Sequence, residues 1–355
     1  MLKDRIFSAR ECLERNSIDA LLVTSLQSIR YLSGFSGSDG VLLVTPDAGC
    51  FLTDSRYTTQ ASREVSGFAV AEYRSKLDAV VEWFSACGCR RIGFIASQLT
   101  VEVYDELKAK LPEVEFVALK DELADIRRIK SHEEIVLLET AASLASEAFL
   151  SILPLIRPGI SERELALELE VAMRRQGADD KAFDFIVASG ERGALPHGRA
   201  SERVICQGEL ITFDFGAICN GYNSDETVTV ALGSPDPQLL DIFSIVKEAH
   251  DRAIDAVKPG VPLKDLDRIA RSFIAEKGFG SFFGHGLGHG VGLEVHEKPL
   301  VSFRSDEIAA EGMVFTIEPG IYVPGLGGVR IEDTVVVEAS GCRLLTKVSK
   351  ELRVL

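Results

Sequence analysis

Leu210-Ile211-Thr212-Phe213-Asp214-Phe215-Gly216, Asn220-Gly221 and Tyr222-Asn223-Ser224-Asp225-Glu226-Thr227-Val228-Thr229-Val230-Ala231 together decide how the C-terminal part of this chain folds. Ile211, Phe213 and Phe215 alternate with Thr212, Asp214 and Gly216, the period-two pattern of a strand with one buried face. Asn-Gly is the strongest short hairpin signal, because both residues accept the positive φ of a type I′ turn. A two-residue turn pairs Cys219 with Tyr222, so Gly216 faces Asp225 and Asp214 faces Thr227. Asp214 and Asp225 then share a face as diagonal neighbours, roughly 7–8 Å apart along the backbone. Two acids beside an apolar face are costly unless something uses them. Ordinary strand-surface acids and ligands for a shared pair of ions are about equally consistent with the hairpin alone.

Three further pieces follow. His285-Gly286-Leu287-Gly288-His289-Gly290-Val291-Gly292-Leu293-Glu294-Val295-His296 holds three of the six histidines among four glycines, which let the backbone pass close to a ligand. A pH-sensitive loop is the alternative reading of that segment. In Val314-Phe315-Thr316-Ile317-Glu318-Pro319-Gly320, Thr316 and Glu318 share one strand face. In Gly328-Val329-Arg330-Ile331-Glu332-Asp333-Thr334, Arg330 and Glu332 share another, and Glu332 could simply pair with Arg330. Four carboxylates and one imidazole (Asp214, Asp225, Glu318, Glu332 and His289) are suitable donors for two divalent cations.

The remainder of the chain sets bounds. Its 355 residues are enough for two domains, and 46% hydrophobic with 26% charged residues is a globular composition. No uncharged apolar run reaches the ~20 residues of a membrane span, and the N-terminus lacks the apolar core of a secretory signal. A formal charge of −15 argues against nucleic acid as a partner. Seven scattered cysteines do not form a disulfide framework, which points to a reducing cytoplasm. Cys87-Gly88-Cys89 reads as a reduced surface turn rather than a thiolate metal site.

Residues 1–125 alternate helical and strand patterns, with helices over 3–16, 58–65, 77–87 and 100–111 and strands at 20–23, 41–44 and 92–95, an α/β domain. A charged segment from Asp121 to Lys130 precedes Ser131-His132-Glu133-Glu134, a capping box that opens a helix. Residues 126–355 read as α+β, with helices over 132–153, 161–176, 236–257 and 263–277.

The four pieces together, with their surrounding strings, resemble the pita-bread metallopeptidases, specifically the branch of Xaa-Pro aminopeptidases and Xaa-Pro dipeptidases (prolidases). Ile29-Arg30-Tyr31-Leu32-Ser33-Gly34-Phe35-Ser36-Gly37-Ser38 and Thr53-Asp54-Ser55-Arg56-Tyr57 are similar to the creatinase-type N-domain of the same family. The resemblance implies a creatinase-like α/β N-terminal domain over 1–125 and a pita-bread catalytic domain over 126–355. It implies Asp214, Asp225, His289, Glu318 and Glu332 as ligands of two divalent ions, with manganese or cobalt preferred and zinc admissible. Methionine aminopeptidases lack the N-domain and creatinases lack the ligands. Metal-free pita-bread binding proteins, the non-enzyme alternative, usually lose ligands that this chain keeps.

In the mechanism implied, the paired ions activate a shared water, Asp214 serves one ion, His289 the other, and the remaining acids span both. Glu318 shuttles the proton. His197 and His296 line the substrate side, with His285 nearby, and Phe183 is either an apolar wall for the proline ring or an ordinary core phenylalanine of a strand. Proline-containing peptides are the expected partners, and a homodimer is expected by resemblance. Two departures stand out. Val228 replaces an arginine usual after the second aspartate, although Thr227 is kept. Leu300, in Pro299-Leu300-Val301, stands where prolidases often carry an arginine for the carboxylate of a dipeptide. That second departure favours Xaa-Pro aminopeptidase action on longer peptides over strict dipeptidase action.

Overall fold

The Asn220-Gly221 turn has φ of 47° and 79° at its two residues, as a type I′ hairpin requires. Cys219 pairs with Tyr222 and Asp214 with Thr227, the register counted from the turn. Ile211, Phe213 and Phe215 are fully buried. Phe149, from the helix His132–Ile152, stacks on Phe215 at 5.1 Å and meets Phe213 edge-on at 5.3 Å. Each buried phenylalanine contributes roughly 1.5–3 kcal/mol. A one-residue slip would rotate both rings out of this layer and Asp214 into it, so the aromatic face fixes which side the acid occupies.

The computed structural model describes residues 2–120 and 122–355. Met1 and Asp121, the first residue of the charged segment, lie outside the described residues. The chain divides into two compact units, Met1–Arg127 and Arg128–Leu355. The first runs α1 (Leu2–Asn16), β1 (Ala20–Val23), α2 (Leu26–Ser33), β2 (Val41–Val44), β3 (Gly49–Thr53), α3 (Thr58–Glu64), β4 (Ala69–Glu72), α4 (Lys76–Cys87), β5 (Arg91–Ile95), α5 (Val101–Lys110), β6 (Glu115–Leu119) and α6 (Glu122–Arg127). Its strands form one mixed sheet in the order β4-β3-β2-β1-β5-β6. β1 and β2 are buried along their whole length, as continuous apolar runs predict. The sequence reading did not identify α2, whose eight residues are too few to show a period. Ser25 caps its start and Gly34, at φ 86°, ends it. Cys87-Gly88-Cys89 is the turn that closes α4, with Gly88 at φ 67°.

The second unit runs α7 (His132–Ile152), α8 (Glu162–Gln176), β7 (Asp180–Lys181), β8 (Ile186–Ser189), β9 (Glu209–Phe215), β10 (Ala217–Cys219), β11 (Tyr222–Asn223), β12 (Glu226–Leu232), α9 (Pro237–Asp255), α10 (Leu263–Glu276), β13 (Gly288–Gly290), β14 (Glu297–Val301), β15 (Val314–Ile317), β16 (Gly320–Val323), β17 (Gly327–Arg330), β18 (Asp333–Glu338) and β19 (Gly341–Leu344). The four long helices fall where the sequence places them, and Ser131 and Glu134 form the predicted capping box. By length and composition α7 could cross a membrane. Instead Leu138, Ala141, Ala145, Ala148 and Phe149 are buried in this unit. The site-bearing strands lie in two sheets, β12-β9-β8 and β14-β13-β15-β18-β19. A bridge between Thr227 and Glu332 joins them, and Thr334 Oγ1 donates to Asp225 O at 2.7 Å. That junction brings the four sequence pieces together.

Candidate metal centre

Asp214 lies on β9, Asp225 just before β12, His289 on β13, Glu318 just after β15 and Glu332 just before β18. Asp225, His289 and Glu332 offer ligand atoms within 4.8 Å of one another. Glu318 joins them, with its Oε1 3.4 Å from His289 Nε2, and Asp225 Oδ2 lies 3.6 Å from the same nitrogen. Thr227 Oγ1 donates to Glu332 Oε2 at 2.6 Å, and Thr316 Oγ1 donates to Glu318 Oε1 at 3.3 Å.

Gly288 explains how β13 comes this close. A Cβ there would sit 2.0 Å from the carbonyl oxygen of Thr316. The next residue, His289, donates its backbone N–H to Thr316 Oγ1 at 3.1 Å. Gly288→Ala must therefore push β13 from β15 and carry His289 with it. The expected result is a loss of roughly 1–3 kcal/mol of stability, with a more than tenfold fall in kcat/KM, read by thermal melting and peptide hydrolysis.

The cluster is short of positive charge. His289 Nδ1 lies 3.1 Å from Gly290 O, so the proton belongs on Nδ1 and the lone pair of Nε2 faces the acids. Burial holds the His289 imidazole down at about 4, hence neutral at pH 7. Burial, reinforced by the charges of Glu332, Asp214 and Glu318, pushes Asp225 well above the usual carboxylate range. Burial, with Glu318 and Asp214, does the same to Glu332. Glu318 is pushed up to about 8, mainly by burial. Asp214 Oδ1 is buried without a hydrogen-bond partner among the described residues. Carboxylates converging on the unprotonated Nε2 of His289, plus an orphaned carboxylate oxygen, fit divalent cations. Hard oxygen donors with one imidazole suit manganese or cobalt and admit zinc.

The sequence reading gave Arg330 no role beyond a possible pairing with Glu332, the alternative to Glu332 as a ligand. The buried guanidinium instead binds Asp214 Oδ2 at 2.6 Å, Thr227 Oγ1 at 3.1 Å, Pro196 O at 3.1 Å and Tyr322 Oη at 3.0 Å. Glu332 takes the Thr227 hydroxyl. The period of the strand that carries Arg330 could not have pointed to Asp214, which lies on β9. Tyr322 was missed as well. Its hydroxyl lies 2.9 Å from His285 Nε2, while His285 Nδ1 lies 2.8 Å from Gly286 O. Both ring nitrogens of His285 are thus engaged within the protein.

The other expected residues are distributed around this cluster. His296 is exposed, its ring 4.2 Å from that of His289. His197 is also exposed and follows Pro196, whose carbonyl Arg330 holds. The His197 loop is tied at both ends by buried Glu162, which accepts from Ser189 N at 2.9 Å and Ser201 Oγ at 2.7 Å. Leu300 lies directly opposite His289 in the β13–β14 ladder and is 49% exposed. Phe183 is half-buried, edge-on to Phe185 at 6.4 Å.

Two compact units, the second with a buried acid–imidazole cluster, fit a metal-dependent enzyme. Residues 136–339 match metallopeptidase family M24, and residues 5–129 match the creatinase/prolidase N-terminal domain. The chain belongs to family M24, with a creatinase-type N-terminal domain and a pita-bread catalytic domain. It is 42% identical to an Xaa-Pro dipeptidase of Pyrococcus horikoshii over 99% of both chains. The solved structure of an Xaa-Pro dipeptidase from Bacillus anthracis covers 100% of both chains, with 43% identity and a TM-score of 0.98. An X-Pro aminopeptidase structure from Thermotoga maritima matches with a TM-score of 0.89 and 40% identity, over 96% of this chain and 99% of that one.

Proposed function

We propose that this protein is a dinuclear Xaa-Pro dipeptidase, which hydrolyses the bond before a C-terminal proline in dipeptides. The metal reading is carried by the convergence of Asp225 Oδ2 and Glu318 Oε1 on the unprotonated Nε2 of His289. Asp214, Asp225, His289, Glu318 and Glu332 hold the ions, which supply Lewis acidity and an activated water. Glu318, beside His289 Nε2, would accept the proton at its carboxylate and return it to the departing amine. His296 and His197 face the substrate and donate to the oxygen of the scissile carbonyl. Arg330 holds Asp214 in place, and Phe183 is a wall for the proline ring.

The preference for dipeptides revises the expectation drawn from Leu300. Whole-length relatives carrying the dipeptidase name favour the shorter substrate. An arginine at position 300 is one way to bind a carboxylate. A leucine there removes that one partner and leaves the rest of the site unchanged.

An Xaa-Pro dipeptide compared with the matching Xaa-Pro-Yaa tripeptide, each with added Mn2+ or Co2+, tests the reading. The dipeptide is expected to have at least a tenfold higher kcat/KM. A preference for the tripeptide would return the aminopeptidase reading. Leu300→Arg is expected to lower KM for the dipeptide about tenfold through a charge-assisted contact. Unchanged KM would put position 300 out of the substrate's reach.

A further inference from the structure

Asp225 and Glu332 are each followed at once by a second buried acid, Glu226 and Asp333. Successive strand residues face opposite ways, so these acids point to the reverse side of the strands that present the two ligands. One cation meets both. Lys350 Nζ lies 2.5 Å from Glu226 Oε1 and 3.3 Å from Asp333 Oδ1, and all three side chains are at most 5% exposed. Glu226 also accepts from Ser146 Oγ of α7 at 2.6 Å and from Val348 N at 3.0 Å. Asp333 accepts from Thr346 Oγ1 at 2.5 Å and lies 3.2 Å from His250 Nε2 of α9. The C-terminal segment 346–350 thus reaches behind the metal cluster and binds both strands through their carboxylates.

A buried ion pair is a weak source of stability against an apolar pair of the same size. Its strength is geometric, because each charge must stay where its partner is. Here Glu226 and Asp333 would repel each other without the ammonium between them. A shift of either carboxylate is transmitted to an adjacent Cα only about 3.8 Å along the chain, and those neighbours are Asp225 and Glu332. We propose that Lys350 is a positioning residue for the metal centre. By joining Glu226 to Asp333 behind the strands, it sets the spacing of Asp225 and Glu332 in front. The inference rests on Asp225 and Glu332 being metal ligands.

The test is calorimetric titration of Mn2+ into chelator-stripped full-length protein, each variant held well below its melting temperature. Lys350→Met is expected to weaken Mn2+ binding roughly 10–100-fold, the range for residues that orient ligands from behind. Lys350→Arg keeps the charge and is expected to recover part of that loss. The double variant Glu226→Gln with Lys350→Met removes both charges of the closer pair, folds without a buried unpaired acid at position 226, and is expected to bind weakly too. Wild-type Mn2+ affinity in either folded Lys350→Met background, even with a lowered melting temperature, would overturn the proposal. Asp225→Asn separates the two readings. Wild-type affinity there would overturn the ligand assignment and the proposal with it. Its loss there beside wild-type affinity in the Lys350 variants would overturn the proposal alone.

Discussion

Asp225→Asn should abolish Xaa-Pro hydrolysis, by at least about a thousandfold in kcat, while making the metal-free protein more stable. The first effect follows from losing a charged ligand in the acid cluster. The second follows from the same crowding of charge. Without metal, Asp225 is a buried carboxylate beside Glu332, Asp214 and Glu318, and all of these neighbours disfavour its charge. An amide of the same shape removes that repulsion and can donate to a neighbouring carboxylate. In chelator at pH 8, the variant should melt several degrees above the parent. Added Mn2+ should reverse the order, raising the melting temperature of the parent alone. A parent that melts above the variant in chelator would sink this account.

The pH dependence of the metal-free parent has the matching sign. Glu318 titrates near 8 when folded, against about 4.3 in a free chain. The folded state then holds a proton that the unfolded chain has released, so this stabilisation is complete below the unfolded value and is lost as pH rises through 8. From pH 6.5 to 8 the loss is roughly 1–2 kcal/mol for Glu318 alone. Asp225 and Glu332, raised likewise, act in the same direction. His285 and His289, both lowered to about 4 by burial, oppose the trend only below pH 6.5, where an unfolded histidine gains its proton. Between pH 6.5 and 8 the melting temperature should fall in chelator, and saturating metal should flatten the slope. A flat profile in chelator would mean that the acids share their charge some other way.

Arg330→Met should cost more stability than any other single change at the site. The guanidinium is buried, pairs with Asp214 and holds Thr227, Tyr322 and the Pro196 carbonyl. Removing one partner of a buried ion pair costs about 3–5 kcal/mol, because the remaining charge is left without compensation. In a unit of this size that corresponds to a fall of roughly 6–20 °C in melting temperature. Activity should fall by at least 10–100-fold, since the proposed ligand Asp214 and the His197 loop both lose their support. Lysine cannot replace the fork, because one ammonium cannot reach donors set around a plane. Scanning calorimetry and kcat/KM at saturating metal check both effects. A variant melting within a degree of its parent would refute the role given to Arg330.

Most of the elements could be read from local pattern. The four long helices of the second unit and the Asn220-Gly221 hairpin lie where periodicity and capping place them. The omitted elements are short or lack a period. α2 is eight residues long, and β3 is buried on both faces over four of its five residues, so it does not alternate. Leu300 shows a different limit. The missing arginine was visible, but a missing contact says nothing about which neighbour takes its place.

The sequence by itself determined the side of β9 that carries Asp214 and its register with Asp225. A turn needing two positive φ angles and a face of three buried hydrophobes act over a dozen residues, and both are written locally. Glu318, Glu332 and the choice of His289 over His285 leaned on the family resemblance. Only the tertiary structure decided the partners. Arg330, two residues from Glu332, binds Asp214, 116 residues away, and Lys350 joins acids on two different strands, Glu226 of β12 and Asp333 of β18. A strand's period says which way a side chain points. Which charge it meets depends on the strand packed opposite, and burial then makes that single partner worth several kcal/mol.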